Sequence, residues 1–543
     1  MVFARRSTTL LAAIIASCAM VLSLTACTSD NKTVVDGQTT VTSNSAGGVA
    51  VFTPSDGITL NQQTPLNKWA KLVPDLAKAL ADAGFKKGDI DHTTSDSLAK
   101  QSRAIQDFVV DHLSNNTTDD SGIAIAPDNM TLLVAPVVEA DASTRQYGDY
   151  ISQNLSTNDV TDEGATSDGD SSEDSSSKDD SSNTESDSTA SDEQAQAVDR
   201  LVSSLKLAKE SGMHVVLLGN SIEGYRPDAF VKFSDAQTIG KLQAEKMVSK
   251  LKLDKASKDN PKYIEVLLPY TAMDEKGNAN DSTFAQEAFR GIWQVLGSYY
   301  QKGVVESPSG TLDGKSTEND WQAVAYDAAK EGSTAKVLDK RLAKTDGQST
   351  LTRIDGIITM NDYIASEVVK ELDDLGYTGS AADINPQITI SGIVGNITGK
   401  KDLSRDAVPD PIKSPENDNA NDSSSSDDDA DKDTSASDKD RDSQWPLVTG
   451  YGAYVSNIPS IVNGKQWMTG MEDRQTIATD IAQACAKLNK DEALNSMPSI
   501  RNSEVGGVKK IPTISEPLLA VSAGNLKSAL IDPGYISLAD AGL

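Results

Sequence analysis

A few indole, carboxamide and carboxylate side chains stand where a ligand could be gripped without any bond being broken. Trp69 follows an apolar run after a loop, Gly219-Asn220 ends the run from His214, Asn361-Asp362 ends the run from Ile357, and Trp321 precedes a helical pattern. A polyhydroxylated ring offers apolar CH faces that an indole can cover, and hydroxyls that carboxamides and carboxylates can hold in pairs. Bond-making chemistry is poorly provided for. The three histidines, His92, His112 and His214, are far apart, and there is no His-Glu-x-x-His, Cys-x-x-Cys, Gly-x-Ser-x-Gly or phosphate-cradling glycine loop. A binding protein is therefore expected rather than an enzyme, with no cofactor and no metal. Each residue also has a structural reading: Trp69 and Trp321 as core, Asn361 as a helix N-cap.

The elements that must position these residues alternate. Apolar runs at Val49 to Phe52, Leu132 to Val138, His214 to Leu218, Ile264 to Leu268, Ile357 to Thr359 and Ile388 to Ile393 read as buried strands. Helical spacing separates them: Trp69, Leu72, Val73, Leu76 and Leu80 before Gly84; Ile239, Leu242, Met247 and Leu251; Ile364, Val368, Val369 and Leu372 before Gly376. Alternating strands and helices imply βαβ units, and their number exceeds one sheet. The expected fold is α/β, two Rossmann-like lobes with parallel sheets. Ligands bind such sheets at the C-terminal ends of the strands, where the candidate residues fall.

Charge divides the chain into two materials. The 543 residues hold 80 acidic and 50 basic side chains, a net −30, which disfavours a nucleic-acid partner. Residues 157–194 carry 13 acidic and 1 basic residue and 405–442 carry 13 acidic and 5 basic, so these two segments hold −20 of the total. They read as disordered insertions at surface loops, since runs such as Asp427-Asp428-Asp429 lack the spacing of a calcium loop. At the N-terminus, Arg5-Arg6, an apolar stretch over 9–24 and Leu24-Thr25-Ala26-Cys27 read as a secretory signal ending in a lipobox. The expectation is lipidation at Cys27, a tether over 27–47 and an extracytoplasmic, membrane-anchored bacterial protein. The apolar stretch is shorter than the ~20 residues that span a bilayer.

Several stretches together resemble a known family, the type I periplasmic sugar-binding proteins of ABC importers, nearest the xylose-binding and multiple-monosaccharide-binding group. They are Val231-Lys232-Phe233-Ser234-Asp235 with Gly240, Leu242, Gln243 and Ala244; Ile357 to Asp362 with Ile364-Ala365; and Ile390-Ser391-Gly392. Ile461 to Thr469 before the Thr476 to Leu488 helix, Ile511-Pro512-Thr513 and Asn525 to Tyr535 complete the set. The resemblance implies two lobes joined by a three-crossing hinge that closes on a sugar, a monomer working with a membrane permease. It assigns 48–234 to the N-terminal lobe, 235–394 to the C-terminal lobe, 395–466 to a return to the first and 467–543 to completion of the second. Carried over, Lys68 and Trp69 are a basic and a stacking residue, Trp321 the second-lobe aromatic and Asn361 the hydroxyl-binding amide. Asn220, Asp235, Asn280 and Asp281 complete the expected ligand-binding set, with Arg290 structural. Three positions depart from the group's pattern: Gly219-Asn220 stands for Asp-Arg, Gly392-Ile393-Val394 for Gly-Gln-Asp with Asn396 nearby, and Glu472 for a lysine. These departures leave open a surface interaction or sensory lipoprotein with an altered or lost pocket.

Overall fold

The computed structural model describes residues 46–55, 65–115, 125–138, 144–156, 185–273, 279–343, 351–381 and 444–543, with backbone alone at 115 and 185–192. Cys27, Ile388 to Ile393, the Gly392-Ile393-Val394 position, Asn396 and Asp427 to Asp429 lie outside the described residues.

The chain begins with β1 (Gly48–Pro54), α1 (Trp69–Asp82), β2 (Ile90–Ser95), α2 (Leu98–Asn115), β3 (Met130–Val134), a short β4 (Asn154–Leu155) and α3 (Glu185–Glu210). β5 (His214–Leu218), β6 (Ser221–Ile222) and β7 (Ala229–Val231) follow. β1, β2, β3, β5 and β7 pair in parallel within a seven-stranded sheet. Residues alternate across it because strand side chains point to opposite faces. Val49, Val51 and Leu133 pack with α1, while Ala50, Phe52, Leu132 and Val134 pack with α2 and α3.

The second sheet is parallel throughout. After α4 (Ala236–Lys250) come β8 (Lys262–Val266), β9 (Leu268–Pro269), α5 (Thr283–Gln301), β10 (Val305–Glu306), α6 (Trp321–Val324), β11 (Ala325–Tyr326), α7 (Ser333–Arg341), β12 (Gly356–Ile358) and α8 (Asp362–Leu375). β13 (Leu447–Thr449) completes the strand order β10-β8-β12-β13. α4 and α5 touch backbone to backbone: a Cβ at Gly291 would lie 2.0 Å from the Gln237 carbonyl oxygen, and one at Gly240 2.2 Å from that of Ala288. Gly291→Ala must push the helices apart. A loss of about 1–3 kcal/mol is expected, set against about 1 kcal/mol of helix propensity gained. Urea unfolding checks it, and an unchanged midpoint would contradict the close crossing.

α9 (Ile458–Val462), β14 (Met468–Met471), α10 (Arg474–Leu488), β15 (Ile500–Val505), β16 (Val508–Ile514) and β17 (Leu519–Ser522) close the chain. β16 pairs with β7 and, antiparallel, with β15, so the first sheet ends in a hairpin. β14 pairs antiparallel with β17. The chain thus passes between the two layers three times, after β7, after β14 and after β16.

Two expectations are corrected. The described part of 395–466 does not return to the first sheet: Leu447–Thr449 pairs with Gly356–Ile358 in the second, and it is 474–514 that joins the first. A three-residue strand that follows a long polar insertion carries no signal for which sheet it enters. The acidic segment 157–194 is also not wholly irregular, since helical backbone begins at Glu185.

The described chain on either side of residues 382–443 is joined at Thr378 and Gln444. Thr378 and Gln444 form a parallel bridge, and the Trp445 N–H donates to the Thr378 carbonyl at 2.8 Å.

Candidate functional site between the strand ends

The C-terminal ends of both sheets meet around the first two crossings. Ser234, just after β7, donates its N–H at 2.8 Å and its hydroxyl to the Glu472 carboxylate, which directly follows β14. The Tyr451 hydroxyl, two residues after β13, donates to the same carboxylate at 3.3 Å. Burial raises the Glu472 carboxyl above the usual range, opposed by the Ser234 bonds. Glu472 therefore ties two crossings to the second sheet, where the resemblance led to a lysine.

Beyond β12 the backbone turns left-handed at Met360 (φ 69°), a strained conformation for a residue with a side chain. The Gln243 amide donates to the Met360 carbonyl at 3.0 Å and fixes that turn. Asn361 caps α8, its Oδ1 accepting from the Ile364 N–H at 2.9 Å. Asp362 is fully buried and accepts from the Tyr454 N–H, the Gln466 amide and the Thr469 hydroxyl at 2.9, 2.7 and 2.9 Å. Desolvation outweighs these donors and pushes its carboxyl up to about 6.

On the first sheet Trp69 is only 3% exposed. Its ring stands edge-on to Tyr150 (5.0 Å) and Phe233 (5.7 Å), and those two stack at 4.5 Å. Asn220 donates from Nδ2 to the Pro136 carbonyl and accepts at Oδ1 from the Gln153 N–H, both at 2.9 Å. Lys68 pairs with Asp149 at 2.6 Å. The second Asp149 oxygen accepts from the Trp69 N–H at 3.1 Å.

The remaining expected residues stand elsewhere. Asp235 caps α4, accepting from the Thr238 N–H at 2.7 Å and pairing with Lys232 at 2.9 Å. Trp321 is buried edge-on against Tyr270 at 5.1 Å. Asn280 donates to the Thr271 carbonyl at 2.9 Å and its own carbonyl accepts from the Tyr270 hydroxyl, so Asn280 and Trp321 share one rim. Asp281 caps its own turn at Thr283. Arg290 pairs with Glu287 on α5. The structure thus gathers Lys68, Trp69, Asn220 and Asn361 through one short segment, 144–153, and leaves Asp235, Asp281 and the Trp321 rim outside that set.

Sequence reasoning missed Gln146, Tyr147, Asp149 and Tyr150 of that segment, along with Tyr451 and Asp362 as buried anchors. The signal available was the pattern Tyr147-Gly148-Asp149-Tyr150, an aromatic-rich stretch beside a strongly acidic one.

No family model matches the chain, and no curated protein matches it. Among solved structures it is similar to an ABC transporter solute-binding protein from Clostridium phytofermentans with bound β-D-glucose: 17% identity, TM-score 0.43, over 91% of this chain and 99% of that one. A carbohydrate transporter solute-binding protein from Chloroflexus aurantiacus, in complex with D-glucose, gives 17% and 0.43 over 91% and 98%. An arabinose-binding protein from Geobacillus stearothermophilus gives 9% and 0.41 over 89% and 99%.

Among the described residues no helix is long and apolar enough to cross a membrane, and no group of three or more His, Cys, Asp or Glu side chains could hold a metal ion.

Proposed function

We propose that the chain is an extracytoplasmic solute-binding protein, anchored through a lipid on Cys27, that takes up a monosaccharide or small sugar derivative between its two sheets for an ABC permease. The observation that carries this reading is the meeting of strand ends. Gly219-Asn220 and Phe233-Ser234 leave the first sheet, while Asn361 and Gly450-Tyr451 leave the second, all beside two of the three crossings. Polar groups supplied from two layers suit a ligand rich in hydroxyls, and few crossings allow the layers to move as bodies. Lys68, Asn220 and Asn361 are the proposed hydroxyl-binding groups, and the rim of Trp321 and Asn280 is the proposed second-layer wall. Binding is the whole of the chemistry: closure buries the solute, and the closed shape is what a permease reads.

A second reading, a surface interaction or sensory lipoprotein with an altered pocket, is favoured by one observation. Lys68, Asn220 and Asn361 are all engaged by residues of the chain itself. Thermal unfolding of the purified protein against pentoses, hexoses, sugar alcohols and nucleosides separates the two. A solute present at 100 times its Kd is expected to add about 2.7 kcal/mol of stability. No shift with any of them would remove the transport reading and leave the second.

A further inference from the structure

Residues 144–153 do what a bound solute would do. Asn361 Nδ2 donates to Gln146 Oε1 at 3.1 Å, and the Tyr454 hydroxyl donates to the Gln146 carbonyl at 2.7 Å. Tyr147 is buried in the core of the second layer, its ring 4.7 Å from Phe284 and 6.2 Å from Tyr451. Two residues later the same segment engages the first layer. Asp149 holds Lys68 and the Trp69 N–H, and the Tyr150 hydroxyl donates to the Lys68 carbonyl at 2.6 Å. The Gln153 N–H donates to Asn220. Gly148 makes the passage possible: its backbone runs at φ 103°, and a Cβ there would lie 2.5 Å from the Asn67 carbonyl oxygen. The segment ends in β4, which pairs in parallel with β6 just past Asn220.

The arrangement is bivalent. Gln146 and Tyr147 go to the second layer and Asp149, Tyr150 and Gln153 to the first, with Gly148 between the two sets, while Ile151 packs back into the second-layer core. The Gln146 amide and the Asp149 carboxylate engage Asn361 and Lys68, the groups proposed above to take sugar hydroxyls, and the Tyr150 ring stands against Trp69.

We propose that the juxtaposition of residues 144–153 with Lys68, Asn220 and Asn361 makes this segment an internal ligand, so that a solute enters only when the segment leaves. The inference rests on the reading of this face as the solute site. Apparent affinity is then the intrinsic affinity multiplied by the fraction of molecules whose segment is out. The segment holds the two layers together while the site is empty of solute, and its departure is what solute binding would select.

Two measurements on the full chain test this. Native-state hydrogen exchange compares the amides of 144–155 with those of β3 and β5. A displaceable segment opens on its own, and its amides are expected to exchange at least ~100-fold faster than those strands. Equal protection would make the segment a fixed part of the core and overturn the proposal, whatever any variant does. The second measurement is solute binding by the triple variant Gln146→Ala, Tyr147→Ala, Asp149→Ala, which leaves Lys68, Asn220 and Asn361 in place. With a monosaccharide panel as probe, a gain of about tenfold or more in affinity over the parent is expected. Equal affinity in parent and variant overturns the internal ligand and leaves solute capture standing. A folded variant whose segment exchanges freely and which binds no sugar overturns both. If the variant does not fold, the exchange comparison on the parent decides.

Discussion

Trp69→Ala is expected to cost about 3–5 kcal/mol of folding stability, the range for emptying an aromatic site in a packed core. The indole is buried between Tyr150 and Phe233 and belongs to the same cluster as Leu72, Leu76, Val51 and Val216. Removing it leaves the stacked Tyr150–Phe233 pair without its edge-on partner and opens a cavity that a rigid sheet cannot close. Urea unfolding monitored by far-UV dichroism gives the number. A loss below about 1 kcal/mol, accompanied by loss of solute binding, would return Trp69 to the role of an exposed stacking platform. Trp69→Phe separates the outcomes further, since it keeps most of the volume and loses the indole face.

The second large effect is on pH dependence, through Asp362. Its folded-state carboxyl titrates at about 6, above the ordinary value of 3.8. A raised carboxyl means the folded chain holds a proton that the unfolded chain has released between those two values. Stability from this group is therefore fully present below about 4 and is lost as pH rises through about 6. Relative to pH 7.5, the contribution is on the order of 1 kcal/mol at pH 5 and on the order of 2 kcal/mol near pH 4. Glu472, raised by burial, acts in the same direction. His92 and His112, lowered by desolvation, act in the opposite one. The measurement is accordingly the difference between parent and Asp362→Asn in urea at pH 5 and at pH 7.5. The amide costs stability at both values, because one of the donors at Thr469, Gln466 or Tyr454 loses its acceptor. The parent's advantage is expected to be larger at pH 5 by on the order of 1 kcal/mol. An advantage that shrinks on acidification would refute the assignment.

Much of the scaffold was legible in the chain. The run His214 to Leu218 is β5 to the residue, and the helical face of Trp69, Leu72, Leu76 and Leu80 is the buried face of α1. Periodicity reports burial, and burial is what these elements share. It does not report partners. Asn361 and Asn220 carry the same amide whether they face a solute or their own backbone, and only the folded chain shows Ile364, Gln146, Pro136 and Gln153 on the other side. Trp69 fits a core and a stacking platform equally well as a residue type, and the structure buries it. Leu447–Thr449 could have joined either sheet, because so short a run has no preference until a neighbouring strand is present. The hairpin of β15 and β16 escaped notice because its burial is uneven, with exposed Arg501, Asn502, Lys509 and Lys510 among buried Ile500, Ile511 and Ile514.

The seam at Thr378 and Trp445 bears on how this protein can change over generations. Thr378 and Trp445 stand one hydrogen bond apart, so the two ends of the stretch between them are already closed in space. Doubling the length of a loop closed in this way costs only about 0.6 kcal/mol. Residues 405–442, which lie between the two ends, hold −8 of the −30 net charge. Substitutions there can reset the electrostatic character of the molecule while the hydrogen bond between Thr378 and Trp445 keeps the two ends closed.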